Sequence, residues 1–365
     1  MTQFQTLSDI ITQAQLDAVA LIPGPSLQYL TGQDFHLMER PLVTFFVPGR
    51  NPVAVVPAFE EARLVESGIP FQTFPWYDAE GYEQAFAAAA EALQLNGKRL
   101  GVEELRMRVL ELDIIRRHNP TVQIVQAGSV LSRLRIRKTE GDLIPLREAI
   151  AISESALQAC IEQVRPGMTE REITNLLVIE QLKRGGGKHP FEPIVLSGPN
   201  SALPHGEPGE RRVTEGDALL FDFGTSVRGY GSDITRTFSI GEPSNQLAEI
   251  YAIVKAANEA GRSAAKPGIP AQEVDRAARA VISAAGFGEY FTHRTGHGLG
   301  LEAHEAPNIV EGNTQVLEPG MVFTIEPGIY IPGVAGVRIE DNMVITADGA
   351  ESLTVFPRDL MRIGV

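Results

Sequence analysis

One cysteine, Cys160, stands in 365 residues, so no disulfide forms within the chain and no pair of thiolates exists for a structural zinc or a redox motif. A reducing cytosol fits that composition. Long apolar runs are missing too. No window reaches the roughly eighteen apolar residues that a membrane helix needs. Residues 1–16 hold no basic cluster followed by an apolar stretch, and Asp17 interrupts the approach to residues 18–22. The expectation is a cytoplasmic protein with neither a membrane span nor a secretory leader. Basic residues are in deficit, 32 Lys and Arg against 46 Asp and Glu, for a formal charge of −14. Such a chain repels phosphate backbones and anionic lipid heads, which argues against nucleic-acid and membrane partners.

What is present is globular: 43% apolar and 21% charged residues, in a chain long enough to favour two domains over one. The first third alternates short apolar runs, at residues 18–22, 42–47, 53–56 and 100–102, with helical patterns at 59–67 and 82–95. Pro48-Gly49-Arg50-Asn51 marks a turn between two of the runs. An α/β layer on a mixed sheet follows, over residues 1–132. A basic run, Arg133, Arg135, Arg137 and Lys138, then leads into a long helical pattern over 140–164. Four charges in six positions read as a solvated linker or helix start, and a second domain spans residues 133–365.

That second domain repeats itself. Arg165-Pro166-Gly167-Met168-Thr169 with Glu172-Ile173 returns 101 residues later as Lys266-Pro267-Gly268-Ile269-Pro270 with Glu273-Val274. Each copy follows a long helical pattern and opens another, and Thr169 and Glu172 have capping-box spacing. Two α+β halves related by a pseudo-twofold axis provide a shared central place for a ligand.

Several ionisable residues stand inside apolar, strand-like sequence, where an unpaired charge is costly to bury. Asp222 interrupts residues 218–224 (ALLFDFG), and Asp233 follows in 229–238 (GYGSDITRTF), within reach of a hairpin. His297 lies between glycines in 295–300 (TGHGLG), which leave room for close approach of backbone and ligand. Glu326 ends the apolar run 321–325. Glu340 lies in 336–342 (GVRIEDN), where strand alternation puts Arg338, Glu340 and Asn342 on one face. Taken singly, each has an ordinary structural explanation: Asp222 caps a turn, His297 is a bonded core histidine, Glu340 pairs with Arg338. As a set, four carboxylates are neutralised by two divalent cations, and without metal their repulsion raises pKa values. Oxygen-dominated ligation with one imidazole suits Mn²⁺, with Co²⁺ and Zn²⁺ as alternatives. The run Gly185-Gly186-Gly187-Lys188 is no phosphate loop, since His189 follows in place of Ser or Thr.

The motifs LLFDFG, SDITRTF, TGHGLGLEAHEAP (295–307), FTIEPG (323–328) and GVRIEDN resemble those of the dinuclear metallopeptidases with the pita-bread fold, the family of methionine aminopeptidase, Xaa-Pro aminopeptidase and Xaa-Pro dipeptidase (prolidase). The resemblance covers about residues 135–360 with all five ligand positions in order. It implies Asp222, Asp233, His297, Glu326 and Glu340 as metal ligands, with Asp233 and Glu340 bridging. It also implies His205 (in SGPNSALPHG, 197–206) and His304 as substrate-side histidines. The position of Glu326 allows it to serve as general base, and Arg338 is expected beside the substrate, orienting or neutralising a carboxylate. His293 and Tyr230 remain off this set.

The preceding α/β domain resembles the creatinase-type N-terminal domain of the proline-specific members, which makes peptides with proline at the second position the implied substrates and a homodimer the implied assembly. In the prolidase pattern an arginine commonly follows His-Glu-x-Pro; here that place is Asn308. A free carboxylate demands a cationic clamp, so the departure leans towards Xaa-Pro aminopeptidase, with prolidase the alternative. A metal-free creatinase-like hydrolase or a peptidase-dead binding module is the third reading, against which all five ligands stand.

Overall fold

The computed structural model describes residues 3–364, and the chain divides into two compact units, Met1–Arg135 and Ile136–Val365. The first is built on a six-stranded mixed sheet in the order Gln72–Trp76, Val53–Pro57, Val43–Phe46, Ala18–Leu21, Arg99–Val102, Gln123–Gln126. Ala18–Leu21, Val43–Phe46 and Val53–Pro57 are buried at every position, and apolar except at Thr44, because both faces are covered. Ala18 and Ala20 join one core with Phe45 and Val55, while Val19 and Leu21 join the other with Phe46 and Val56. Pro48 to Asn51 turn the antiparallel pair Val43–Phe46 and Val53–Pro57, with Gly49 at φ 73°. The helical pattern at 82–95 becomes Glu83–Leu93, and that at 59–67 is a 3-10 turn followed by Glu61–Glu66.

The second unit has the duplicated α+β plan. Helices Glu140–Ile161 and Glu170–Lys183 precede a four-stranded sheet containing Ile194–Ser197, Ala218–Phe223 and Ile234–Ile240. Helices Asn245–Ala264 and Gln272–Ala284 precede a five-stranded sheet containing Gly296–Gly298, Glu305–Ile309, Val322–Ile325 and Asp341–Ile345. The repeat is visible bond by bond. Gly167 N donates to Val213 O at 2.8 Å and Gly268 N to Leu317 O at 2.9 Å; Val213 N returns to Met168 O and Leu317 N to Ile269 O. The two glycines have φ of 92° and 89°, in the left-handed region that favours glycine. The copies differ at the helix start: Thr169 and Glu172 complete a capping box, whereas the second helix has no side-chain cap.

The basic run leads into the helix as expected but is only half solvated: Arg133 and Arg137 are exposed, whereas Arg135 and Lys138 are buried. Lys138 pairs with the covered side chain of Glu305 at 3.0 Å, while Arg137 pairs with Glu318. Burying Lys138 is tolerable only because that carboxylate meets it. Among the described residues no helix is long and apolar enough to cross a membrane.

Candidate metal centre and active site

The eight residues singled out from the sequence line one cavity of about 460 Å³ in the second unit: His205, Asp222, Asp233, His297, His304, Glu326, Arg338 and Glu340. Each half contributes. Strands Ala218–Phe223 and Ile234–Ile240 pair so that Asp222 faces Thr235 and Phe223 faces Ile234. A short hairpin, Ser226–Val227 against Tyr230–Gly231, reverses the chain between them through Arg228 and Gly229, both at positive φ. Asp233 and Thr235 then share a face by strand alternation. From the second half, His297 lies mid-strand, and Glu326 leaves the end of Val322–Ile325 with its N–H on Thr295 O at 2.7 Å. Residues 336–342 alternate as expected, although the strand breaks at Ile339 and Glu340, passing from the hairpin strand Ala335–Arg338 to Asp341–Ile345.

The glycines around His297 serve the strands more than a ligand. A Cβ at Gly296 would lie 1.9 Å from Thr324 O, and one at Gly298 would lie 2.1 Å from Ala306 O. His297 is therefore squeezed between two backbones. Its Nδ1 donates to Gly298 O at 3.1 Å, since a carbonyl only accepts, which turns Nε2 towards Glu326 Oε1 at 3.3 Å and Asp233 Oδ2 at 3.6 Å.

Charge in the cavity is only partly compensated: the Arg338 guanidinium meets one carboxylate, Asp222. Atoms of Asp233, His297 and Glu340 lie within 4.8 Å of one another. Burial pushes the carboxyls of Asp233 and Glu340 well above the usual range, and repulsion from neighbouring carboxylates adds to it. Glu326 goes the other way: burial opposes its charge, but the hydrogen bond and charge of His297, with His293 and Arg338, hold it down at about 2. Three buried oxygens, Asp222 Oδ1, Asp233 Oδ1 and Glu340 Oε1, have no hydrogen-bond partner. Buried carboxylate oxygens are rarely left so, and hard oxygen donors beside one imidazole are what a pair of divalent cations takes. The donor set fits.

Around these groups the remaining atoms are tied. Glu340 Oε2 accepts from Thr235 Oγ1 at 2.7 Å. Asn342 Nδ2 donates to Asp233 O at 2.6 Å and to Thr354 Oγ1 at 2.9 Å. Arg338 does not pair with Glu340. It bonds Asp222 Oδ2, Thr235 Oγ1 at 3.1 Å and Tyr330 OH at 2.7 Å, so its donors face this network. Tyr330 OH in turn meets His293 Nε2 at 2.7 Å, and His293 Nδ1 donates to Arg294 O. His293 thus belongs to the cavity wall. Tyr230 does not, and bonds Asp142 in helix Glu140–Ile161. His304 meets His297 edge-on, with ring centres 4.1 Å apart and planes at 60°. Burial, then the charges of His297 and Arg294, lower its pKa to about 4.

The sequence did not single out Phe191, Glu192, Ile194, Pro204 or Arg294, which complete the lining. Arg294 NH1 donates to Asn308 Oδ1 at 2.7 Å, and no carboxylate pairs with it among the described residues.

The sequence profile of Metallopeptidase family M24 matches residues 145–347, and that of the Creatinase/Prolidase N-terminal domain matches residues 3–137. An Xaa-Pro dipeptidase from Lactobacillus helveticus is 37% identical over 350 residues, 95% of each chain. The crystal structure of a recombinant prolidase from Thermococcus sibiricus superposes with a TM-score of 0.94 at 34% identity, covering 99% of this chain and 98% of that one. An X-Pro aminopeptidase from Thermotoga maritima gives 0.87 at 31% identity over the whole of both chains.

Proposed function

Because the chain belongs to metallopeptidase family M24, a dinuclear metal-dependent family, and is a metallo-exopeptidase acting on peptides, we propose that it cleaves the bond before proline in short peptides. Asp222, Asp233, His297, Glu326 and Glu340 are the residues that would hold two divalent cations, Mn²⁺ by donor chemistry ahead of Co²⁺ or Zn²⁺. The observation that carries this reading is the set of three buried, unpartnered carboxylate oxygens converging with His297 in one cavity. All the lining residues lie in the second unit, so the chemistry is assigned to residues 133–365. The proposal extends, on the family resemblance and the single cysteine, to a cytosolic homodimer.

Bound there, the cations supply Lewis acidity that polarises a carbonyl and readies water for attack at neutral pH. The chain does the rest. Glu326 takes the proton from the attacking water on a carboxylate oxygen and passes it to the departing nitrogen. That transfer matters most at proline, whose nitrogen carries no hydrogen in the peptide and leaves as an amine. His304, neutral at pH 7, donates an N–H to the oxyanion. His205 holds the substrate in line, and Phe191, Ile194 and Pro204 offer apolar surface for the ring. Arg338, with its donors on Asp222, Thr235 and Tyr330, acts on the substrate only through these groups.

The finer assignment turns on the group beyond proline. Arg294 supplies a guanidinium beside Asn308, where the prolidase pattern has its arginine. A planar cation with donors to spare matches a free carboxylate, which supports Xaa-Pro dipeptides as the preferred substrates. Cleavage of longer chains, as an Xaa-Pro aminopeptidase, is the second reading and is favoured by the neutral Asn308 itself. The test compares an Xaa-Pro dipeptide with an Xaa-Pro-Yaa tripeptide on Mn²⁺-loaded protein before and after chelation. We expect the dipeptide to be cut faster and chelation to abolish both activities. A faster tripeptide overturns the dipeptidase assignment, and undiminished cleavage by metal-free protein overturns the dinuclear one.

A further inference from the structure

Helix Glu170–Lys183 begins with a carboxylate that is sealed from solvent. Glu170 Oε1 accepts from Ser197 N at 2.8 Å, Ser197 Oγ at 2.9 Å and Asn200 Nδ2 at 3.1 Å. Its Oε2 accepts from Gly209 N at 3.1 Å and from the same Asn200 amide at 3.2 Å. All these donors come from one stretch of chain. Ser197 ends the strand Ile194–Ser197 and Gly209 lies twelve residues on, so the carboxylate grips both ends of the loop that carries His205. Arg211 tightens the same knot by donating to Ser197 Oγ at 2.6 Å, leaving the hydroxyl proton for Glu170.

His205 needs such support. It is exposed and makes no hydrogen bond among the described residues, so its side chain faces the cavity only as well as its backbone is placed. The duplicated half shows that the helix itself does not require the acid. The residue matching Glu170 is Ala271, and the equivalent backbone bonds persist: Glu170 N to Arg211 O at 3.0 Å, Ala271 N to Gln315 O at 2.8 Å. The carboxylate therefore stands only in the half that bears the loop. Burying it is costly unless every oxygen is bonded, and the loop meets that requirement.

We propose that Glu170 is a positioning residue for His205, clamping both ends of the loop between Ser197 and Gly209 so that the imidazole faces the substrate; this rests on His205 acting on the substrate as proposed above. Glu170→Gln keeps the shape but sets an amide N–H₂ against donors that need an acceptor. Xaa-Pro hydrolysis is measured for Glu170→Gln, His205→Ala and the double variant, all loaded with Mn²⁺, with metal content and backbone amide exchange followed in parallel.

We expect Glu170→Gln to lower kcat/KM roughly ten- to a hundredfold, the scale of a small misplacement of a reacting group, with full metal content and faster exchange at residues 198–209. In the His205→Ala background the same change is expected to cost nothing further, because coupled residues are not additive. An equal loss in both backgrounds overturns the inference. If His205→Ala leaves hydrolysis intact, the substrate role of His205 fails separately, and unchanged exchange at 198–209 in Glu170→Gln then overturns the clamp. Should Glu170→Gln not fold, Asn200→Ala removes one donor and leaves the others; a smaller loss that vanishes in His205→Ala supports the clamp, and an additive one overturns it.

Discussion

Removing a metal ligand should stabilise this protein when no metal is present. Asp233 and Glu340 are buried with ligand atoms no more than 4.8 Å apart. Two unit charges at that distance repel by about 3 kcal/mol at an effective dielectric of about 20. Both carboxyls are accordingly raised, by burial first and repulsion second. A group raised in the folded state binds more protons folded than unfolded, so its contribution to stability is complete below the ordinary carboxylate pKa and is lost as pH rises through the folded value. Metal-free wild type should therefore lose stability as pH rises above the ordinary carboxylate range. Asp233→Asn keeps the shape, gives up one charge and loses only a 3.6 Å approach to His297, too long for a hydrogen bond. In chelator-treated protein at pH 8, calorimetry should show the transition of the second unit about 6–12 °C higher in the variant, at 2–4 °C per kcal/mol for a unit of this size. With excess Mn²⁺ the order should reverse, because only wild type gains full stabilisation from a cation bound to the folded state. The reasoning is refuted if metal-free Asp233→Asn melts below wild type at pH 8, or if metal-free wild type grows more stable as pH rises.

Other consequences follow from single residues. Glu326→Gln should cut kcat roughly 10²–10⁴-fold, the usual share of a general base; atomic absorption should find metal still bound, and a fall in kcat no greater than the fall in occupancy would deny Glu326 a proton-transfer role. Arg294→Ala should erode the preference for an Xaa-Pro dipeptide over an Xaa-Pro-Yaa tripeptide, losing roughly tenfold or more on the dipeptide alone, as for a charge-assisted hydrogen bond; equal losses on both would remove it from carboxylate recognition. Cys160, buried and with its thiol pushed up to about 12 by burial, should resist a disulfide reagent at pH 8 until the second unit unfolds; rapid labelling of native protein would contradict its placement in the core.

Much of this architecture is legible in sequence, and the parts that are not have physical reasons. The inner strands of the first unit are covered on both faces, so residues 18–22 and 53–56 read as apolar runs. The edge strands Gln72–Trp76 and Gln123–Gln126 carry only partial burial, and their glutamines and Pro75 hide them. The helix Gln3–Gln13 buries only Leu7, Ile10 and Ile11 against the sheet, too sparse a stripe to stand out. At the site, acids inside apolar strands are costly enough to be conspicuous; His205 and His304 came only from the family resemblance, and all eight residues line one cavity. Arg294, Lys138 and Glu170 gave no such signal. An arginine, a basic run and an acid in a first helical turn each have an ordinary surface explanation, and only the folded chain brings Lys138 to Glu305, Arg294 to Asn308 and Glu170 to the His205 loop. The glycines beside His297 were legible as close-approach positions, but what approaches is the backbone of the flanking strands.

The central claim is that five side chains from two halves of one duplicated unit enclose a pair of cations. Anomalous diffraction at the manganese edge, from crystals of the Mn²⁺-loaded protein, tests it directly. The account predicts two peaks inside the cavity, each touching carboxylate oxygens of Asp222, Asp233, Glu326 or Glu340, with one also touching His297 Nε2. Peaks only elsewhere on the surface, or a single peak touching none of these carboxylates, would contradict it.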